Sequence, residues 1–145
     1  MLPLEGVRVV EFAHMVMGPS CGLVLADLGA EVIKVEPLAR DNTRRLEAAG
    51  AGFYPVFNRN KKSLAVDLQQ PEGRQLVLKL LKTADVLTEN FRPGALDKLG
   101  FGYEDLAGKN ERLIYCSLKG FLDGPYEHRL ALDEVTQMMG GLAYM

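Results

Sequence analysis

Apolar positions along the chain switch between short β-branched runs and stretches with a helical repeat. The first run, VRVVEF from Val7 to Phe12, suits a strand, and Gly18-Pro19 follows it. Proline is preorganised for a first helical position, so a helix is expected to begin there. Cys21, Val24, Leu25 and Leu28 fall at i, i+3, i+4 and i+7, which predicts one apolar face, and Gly29 stands where a left-handed cap belongs. EVIKVE, Glu31 to Glu36, reads as the second strand.

Strand, helix and strand within about 30 residues form a βαβ unit, with a right-handed crossover and parallel strands. The pattern recurs. SLAVDL, Ser63 to Leu68, is strand-like; Pro71-Glu72 opens a helix whose Leu76, Val77, Leu80, Leu81 and Ala84 share one face; DVLTEN, Asp85 to Asn90, follows as a strand. Pro93-Gly94 and the stretch Gly100 to Gly102 bracket short helical turns, and RLIYCSLKG, Arg112 to Gly120, supplies a further strand. The fold class expected is α/β, a Rossmann-like doubly wound parallel sheet. Between Pro37 and Lys62 lies a polar connection longer than a structural crossover needs, a type of loop that is usually functional or mobile.

There is no internal repeat and no interdomain linker, so residues 1–145 read as a single domain. The segment from Ala131, ALDEVTQMMGGLAYM, has helical character through Gln137 and then stops without a closing strand. It reads as a fold interrupted before its end.

Composition narrows the partners. Of 145 residues 48% are hydrophobic, enough for a core, and 17 basic against 19 acidic side chains give no reason to expect nucleic acid. No apolar run approaches the roughly 20 residues that span a bilayer, and the start, MLPLEGVRVVEF, carries an acidic residue where a secretory signal has positive charge. A cytoplasmic protein without membrane contact is expected. Cys21 and Cys116 sit in apolar segments with no Cys or His at metal-ligand spacing, which suits reduced core thiols and no metal.

The turn after the first strand, EFAHMVMGPS, lacks the G-x-G-x-x-G of a dinucleotide site, which disfavours a nicotinamide-dependent oxidoreductase. A different polar set, His14, Asn60, Asn90, Lys119 and Gly120, falls at strand ends, where ligands of open α/β sheets bind. Asn58, Arg59, Asn60, Lys61 and Lys62 form a cationic cluster that is either a solvated turn or a phosphate anchor, extended by Lys98 and Lys119. Lys98 could equally stabilise a helix C-terminus. His14 is either a general base or a hydrogen-bonded loop residue. Phe91 and Phe121 could stack on a ligand ring or fill the core. Asp133, Glu134 and His128 cluster near the end, where a carboxylate at a helix start is ordinarily a cap.

Six segments, LEGVRVVEFAHMVMGP, LADLGAEVIKVEP, NRNKKSLAVDLQQPEGR, ADVLTENFRPGALDKLGF, RLIYCSLKGF and GPYEHRLALDEVTQMMGG, resemble in order and spacing the N-terminal portion of family III (CaiB/BaiF-type) CoA-transferases. The resemblance implies a CoA-binding Rossmann-like segment of an interlocked dimer, with coenzyme A or acyl-CoA as substrate, a carboxylic acid as acceptor and no tightly bound cofactor. It places CoA contacts on Met15 and Val16, on Val66 and Gln69, on Asn90 and Phe91, on Lys98, and on Lys119, Gly120 and Phe121. Gln69 departs from members that carry lysine there. The family's aspartate nucleophile lies in a segment resembling A-D-x-x-x-G downstream of these motifs; it is absent from the sequence, Asp133 is not its equivalent, and no residue of the chain is assigned as catalytic. The chain is therefore expected to act with a further polypeptide segment, as a homodimer or with the remaining part of such an enzyme, or else to be a non-catalytic CoA-binding or assembly segment. An α-methylacyl-CoA racemase would need a His-Asp pair where this chain has Leu132-Asp133.

Overall fold

A computed structural model describes residues 1–129 and 131–142. Their strands are β1 (Arg8–Phe12), β2 (Glu31–Glu36), β3 (Lys62–Ala65), β4 (Val86–Glu89) and β5 (Ile114–Ser117), in the spatial order β3-β2-β1-β4-β5 with every neighbouring pair parallel. The helices are α1 (Met17–Asp27), α2 (Phe53–Phe57), α3 (Pro71–Leu81), α4 (Tyr103–Ala107) and α5 (Asp133–Met139). This is the expected doubly wound α/β sheet. Its strand order reverses between β1 and β4, the position at which such sheets open a crevice.

Strand β2 matches its predicted run, and β1, β3, β4 and β5 are one to five residues shorter than theirs, because hydrogen bonding stops where the flanking residues turn toward loops. On one face Val10, Phe12, Val35 and Leu87 meet Val77, Leu81 and Ala84 of the α3 region together with Phe101 and Leu106. On the other, Val9 and Val32 meet Ala26 and Ala30 at the end of α1.

Pro71 opens α3 as its spacing predicts, but Leu76 is half exposed and only Val77, Leu81 and Ala84 of the expected face are buried. The face expected for α1 is corrected more fully: Val24 is 58% and Leu28 40% exposed, and the buried positions are Gly18, Pro19, Gly22, Leu23 and Ala26. The helix is apolar all round, so periodicity could not choose a side. The choice falls to packing, since a Cβ on Gly22 would overlap the Glu11 carboxylate beneath it.

The connection from Pro37 to Lys61 is organised rather than featureless. It holds two short 3₁₀ turns, Asn42–Arg45 and Ala48–Gly50, and then α2. The whole is moored to Glu36 at the end of β2. Helix α5 spans the stretch read as helical; the side chains of Asp133 and Glu134, and residues 143–145 at the expected end of the fold, lie outside the described residues.

Candidate coenzyme-binding site

The polypeptide leaving β1 turns through Met15, whose φ of 62° is left-handed, before α1 begins. A non-glycine residue holds that conformation only if its neighbours enforce it. They do so from β4: Asn90 Nδ2 donates to the His14 carbonyl at 2.8 Å, and the His14 N–H donates to Asn90 Oδ1 at 3.0 Å. Lys34 Nζ donates to the Ala13 carbonyl from below. The ring of Phe91 lies 5.4 Å from that of His14. Loss of water around the imidazole pushes His14 below its ordinary value, with Asp41 acting in the opposite direction. The backbone of His14 holds this loop to Asn90 while its ring packs against Phe91.

The loop after β5 is tied to β4 by charge. Glu89 is 3% exposed and accepts from Lys119 Nζ at 2.6 Å, from the Phe91 N–H at 2.9 Å and from the Ser117 hydroxyl. Lys119 Nζ also donates to the Phe91 carbonyl at 2.6 Å. Gly120 lies against Ala131, so the segment leading into α5 returns to the same strand ends, and Phe121 stands 6.1 Å from Tyr126.

Two cavities flank this junction. One, of about 260 Å³, lies between Glu89, Arg92, Asp97, Tyr103, Tyr115 and Lys119. The other, of about 300 Å³, opens between the ends of β1 and β2, with Met15, Val35, Pro37 and Phe91 as apolar walls and Asp41 and Thr43 as polar ones. Glu36, in the wall of this second cavity, has its carboxylate held by protein groups. Arg44 grips it from Nη2 at 2.7 Å and Nε at 2.9 Å, Ser63 Oγ at 2.7 Å, the Asp41 N–H at 2.9 Å and the Tyr54 phenol at 3.1 Å. Burial alone would raise its carboxyl, but the Arg44, Ser63 and Asp41 hydrogen bonds outweigh that and bring it down to about 2. The Tyr54 phenol, half buried beside that carboxylate, is pushed up to about 12.

The cationic cluster before β3 is resolved by the structure. Arg59 pairs with Asp27 at 2.5 Å, Lys62 with Glu31 at 2.5 Å, and Lys61 reaches under α1 to Glu11 at 2.7 Å with its side chain only 1% exposed. Asn60 donates to Asp27 at the entry of β3, the opposite end of the strand from the ligand edge. Of the two readings left open for this cluster, the contacts given for Arg59, Asn60, Lys61 and Lys62 are structural, a brace between α1, β2 and β3.

Met15 and Val16 after β1, Asn90 and Phe91 after β4, and Lys119, Gly120 and Phe121 after β5 converge on one edge of the sheet. Val66 and Gln69 follow β3 at its far side; Val66 is buried and Gln69 exposed. Four strand spacings separate β3 from β5, roughly 19 Å, so only an extended ligand touches both. Lys98 is exposed in the turn Asp97–Leu99, and its ammonium pairs with no carboxylate among the described residues.

Sequence reasoning missed the buried charges. Glu11, Lys34, Glu36 and Glu89 are all at most 3% exposed, and Lys34 joins Glu11 at 3.4 Å and Asp41 at 3.1 Å. The available signal was an ionisable residue inside each of the runs VRVVEF, EVIKVE and DVLTEN. Among the described residues no group of three or more His, Cys, Asp or Glu is arranged to hold a metal ion, and no helix is long and apolar enough to cross a membrane.

An open parallel sheet with polar groups at its switch point has the doubly wound α/β architecture whose members take ligands beyond the carboxyl ends of their strands. The chain belongs to CoA-transferase family III, whose sequence profile matches residues 4–145. It is 40% identical over 145 residues to formyl-CoA:oxalate CoA-transferase of Rhodopseudomonas palustris strain BisA53, covering 97% of this chain and 34% of that protein. It is 45% identical over 151 residues to succinate–glutarate CoA-transferase of Agrobacterium fabrum, covering 96% of this chain and 38% of that one. Among solved structures, the hypothetical protein Rv3272 from Mycobacterium tuberculosis matches with a TM-score of 0.92 at 43% identity, over 98% of this chain and 41% of that one. A CaiB/BaiF family protein from Brucella suis matches with a TM-score of 0.89 at 45% identity, over 97% and 39%. The chain thus spans a little over a third of the length of these relatives.

Proposed function

We propose that this chain forms the coenzyme A-binding face of a family III CoA-transferase, which moves CoA between an acyl-CoA thioester and a carboxylic acid. The observation that carries this reading is the Asn90–His14 clamp, which joins the β1 and β4 loops beside Lys119 at the edge where such sheets take ligands. The activities named for the two transferase relatives agree with it. Met15, Val16, Asn90, Phe91, Lys119, Gly120 and Phe121 would line the central stretch of the coenzyme. Val66 and Gln69 would meet one end of it, and Lys98, unpaired among the described residues, would offer its cation to the phosphates.

In this reading the reaction is covalent. An aspartate carboxylate attacks the thioester carbonyl, the C–S bond breaks, and a mixed anhydride and CoA thiolate result. The thiolate then attacks the aspartyl carbonyl of the anhydride, releasing the donor acid as carboxylate and leaving an aspartyl-CoA thioester. The acceptor carboxylate attacks that thioester, and CoA returns to the new anhydride's acyl carbon as the aspartate is freed. We assign the aspartate to polypeptide outside these 145 residues, because A-D-x-x-x-G does not occur among them. A homodimer or assembly with further polypeptide, at work in the cytoplasm, belongs to the same proposal. For the chain alone, that missing motif favours a second reading, CoA binding without catalysis.

Calorimetric titration with CoA, and incubation with formyl-CoA and oxalate, test both parts. Binding without turnover is expected. Turnover by the chain alone would contradict the assignment of the nucleophile, and absence of CoA binding at millimolar concentration would contradict the site.

A further inference from the structure

On the α1 side of the sheet, Ser63, Lys34, Glu11, Thr88 and Cys116 stand in one register row from β3 to β5. Side chains paired across parallel strands in this way point to the same face and touch their neighbours. In the middle of the row Glu11 is neutralised by Lys34 and Lys61. Next to its outer end Thr88 is 1% exposed, and among the described residues its hydroxyl has no hydrogen-bond partner. A buried hydroxyl in that state calls for an explanation.

Helix α1 lies over this row with Gly22 against Glu11, and Gly18, three residues before Cys21 on the same helix face, lies against Asn90 just after β4, so Cys21 is on the β4 side. Cys116 stands beside Thr88 on the same face of the sheet, so both cysteines lie in the seam between α1 and the β4–β5 edge. Both are free and half-buried, within reach of a small oxidant, where the sequence suggested reduced core thiols. Burial, and then Cys116 itself, push the Cys21 thiol up.

We propose that Cys21 and Cys116 are a reversible disulfide-forming pair, with Cys116 as the site first oxidised and Cys21 as the resolving thiol. The oxidant is a hydroperoxide. The Cys116 sulfur attacks the terminal peroxide oxygen, the O–O bond breaks, and an alcohol or water leaves, giving a sulfenic acid. Cys21 then attacks that sulfur, the S–O bond breaks, and water carries away the oxygen with the Cys21 proton. The Thr88 hydroxyl, directly across from Cys116, donates to the developing oxyanion or thiolate. The bridge ties α1, which follows Met15 and Val16, to β5, which leads into Lys119 and Gly120. It stands on the sheet geometry and does not depend on what ligand those residues hold.

The test is peroxide treatment of the reduced chain at neutral pH, followed by alkylation and peptide mass spectrometry. The expected product is a monomer lighter by two hydrogens, with a dithiothreitol-reversible link between the Cys21 and Cys116 peptides and no alkylatable thiol. In Cys21→Ser a sulfenic acid trapped by dimedone on Cys116 is expected, and in Thr88→Val, which removes no buried hydrogen bond, roughly fivefold slower oxidation. Two alkylatable thiols after treatment, or only intermolecular disulfides, would overturn the pairing. Dimedone labelling of Cys21 in Cys116→Ser but not of Cys116 in Cys21→Ser would overturn the order.

Discussion

The carboxamide of Asn90 and the peptide groups of His14 close a ring of two hydrogen bonds, 3.0 Å and 2.8 Å long, across 76 positions of sequence. The ring fixes a left-handed turn at Met15 that its side chain would not adopt unaided. Asn90→Ala should therefore cost about 1–2 kcal/mol of stability and about tenfold in CoA affinity. Asn90→Asp keeps the acceptor but loses the donor to the His14 carbonyl, so an intermediate loss is expected. Thermal melts and calorimetry with CoA check both.

Lys119 and Lys98 should behave differently although both are assigned to the coenzyme. Lys119 neutralises the buried Glu89, so Lys119→Met should lower stability by about 2 kcal/mol as well as weaken CoA binding. Among the described residues Lys98 has no carboxylate partner to leave behind. Lys98→Ala should stay within about 0.5 kcal/mol of the parent in urea unfolding and reduce the salt dependence of CoA binding.

Glu36 gives the fold an acid limb. Its folded value of about 2 lies below the ordinary 4.5, so its contribution is complete above the unfolded value and is lost as pH falls from about 4.5 toward about 2. The shift corresponds to on the order of 3 kcal/mol. Burial raises Glu11 instead, which favours the folded state when that carboxyl is protonated and so opposes the trend. Urea unfolding between pH 6 and pH 3 should show the net loss, and Arg44→Met should flatten it by removing the bidentate grip.

Gly22→Ala places a methyl group against Glu11 Oε2 and close to Lys61 Nζ, under a helix that cannot lift without uncovering Ala26. A loss of about 2–3 kcal/mol is expected from chemical denaturation. Val24→Ser, on the exposed side of the same helix, should change stability by less than about 1 kcal/mol.

The alternation of β-branched runs with proline-opened helices was enough to predict the parallel doubly wound sheet, because each element announces itself within ten residues. The buried side of α1 was not legible, since a helix apolar on every side leaves the choice to the small residues that fit over Glu11. The roles of Lys61, Glu11, Arg44 and Glu36 were equally hidden: Lys61 meets Glu11 across 50 positions, and only the register of the sheet brings them together. The strand-end set was legible in part. Asn90 and Lys119 stand at the predicted edge, whereas Asn60 precedes β3, which starts at Lys62, and so stands at that strand's amino end.

The central claim is that the carboxyl ends of β1, β4 and β5 hold coenzyme A. Titration of the ¹⁵N-labelled chain with CoA, followed by backbone amide shifts, tests it most directly. Saturable changes should concentrate at Met15, Val16, Asn90, Phe91, Lys119 and Gly120, with Arg59, Asn60 and Lys62 unmoved. Changes confined to that basic cluster, or none at millimolar CoA, would contradict it.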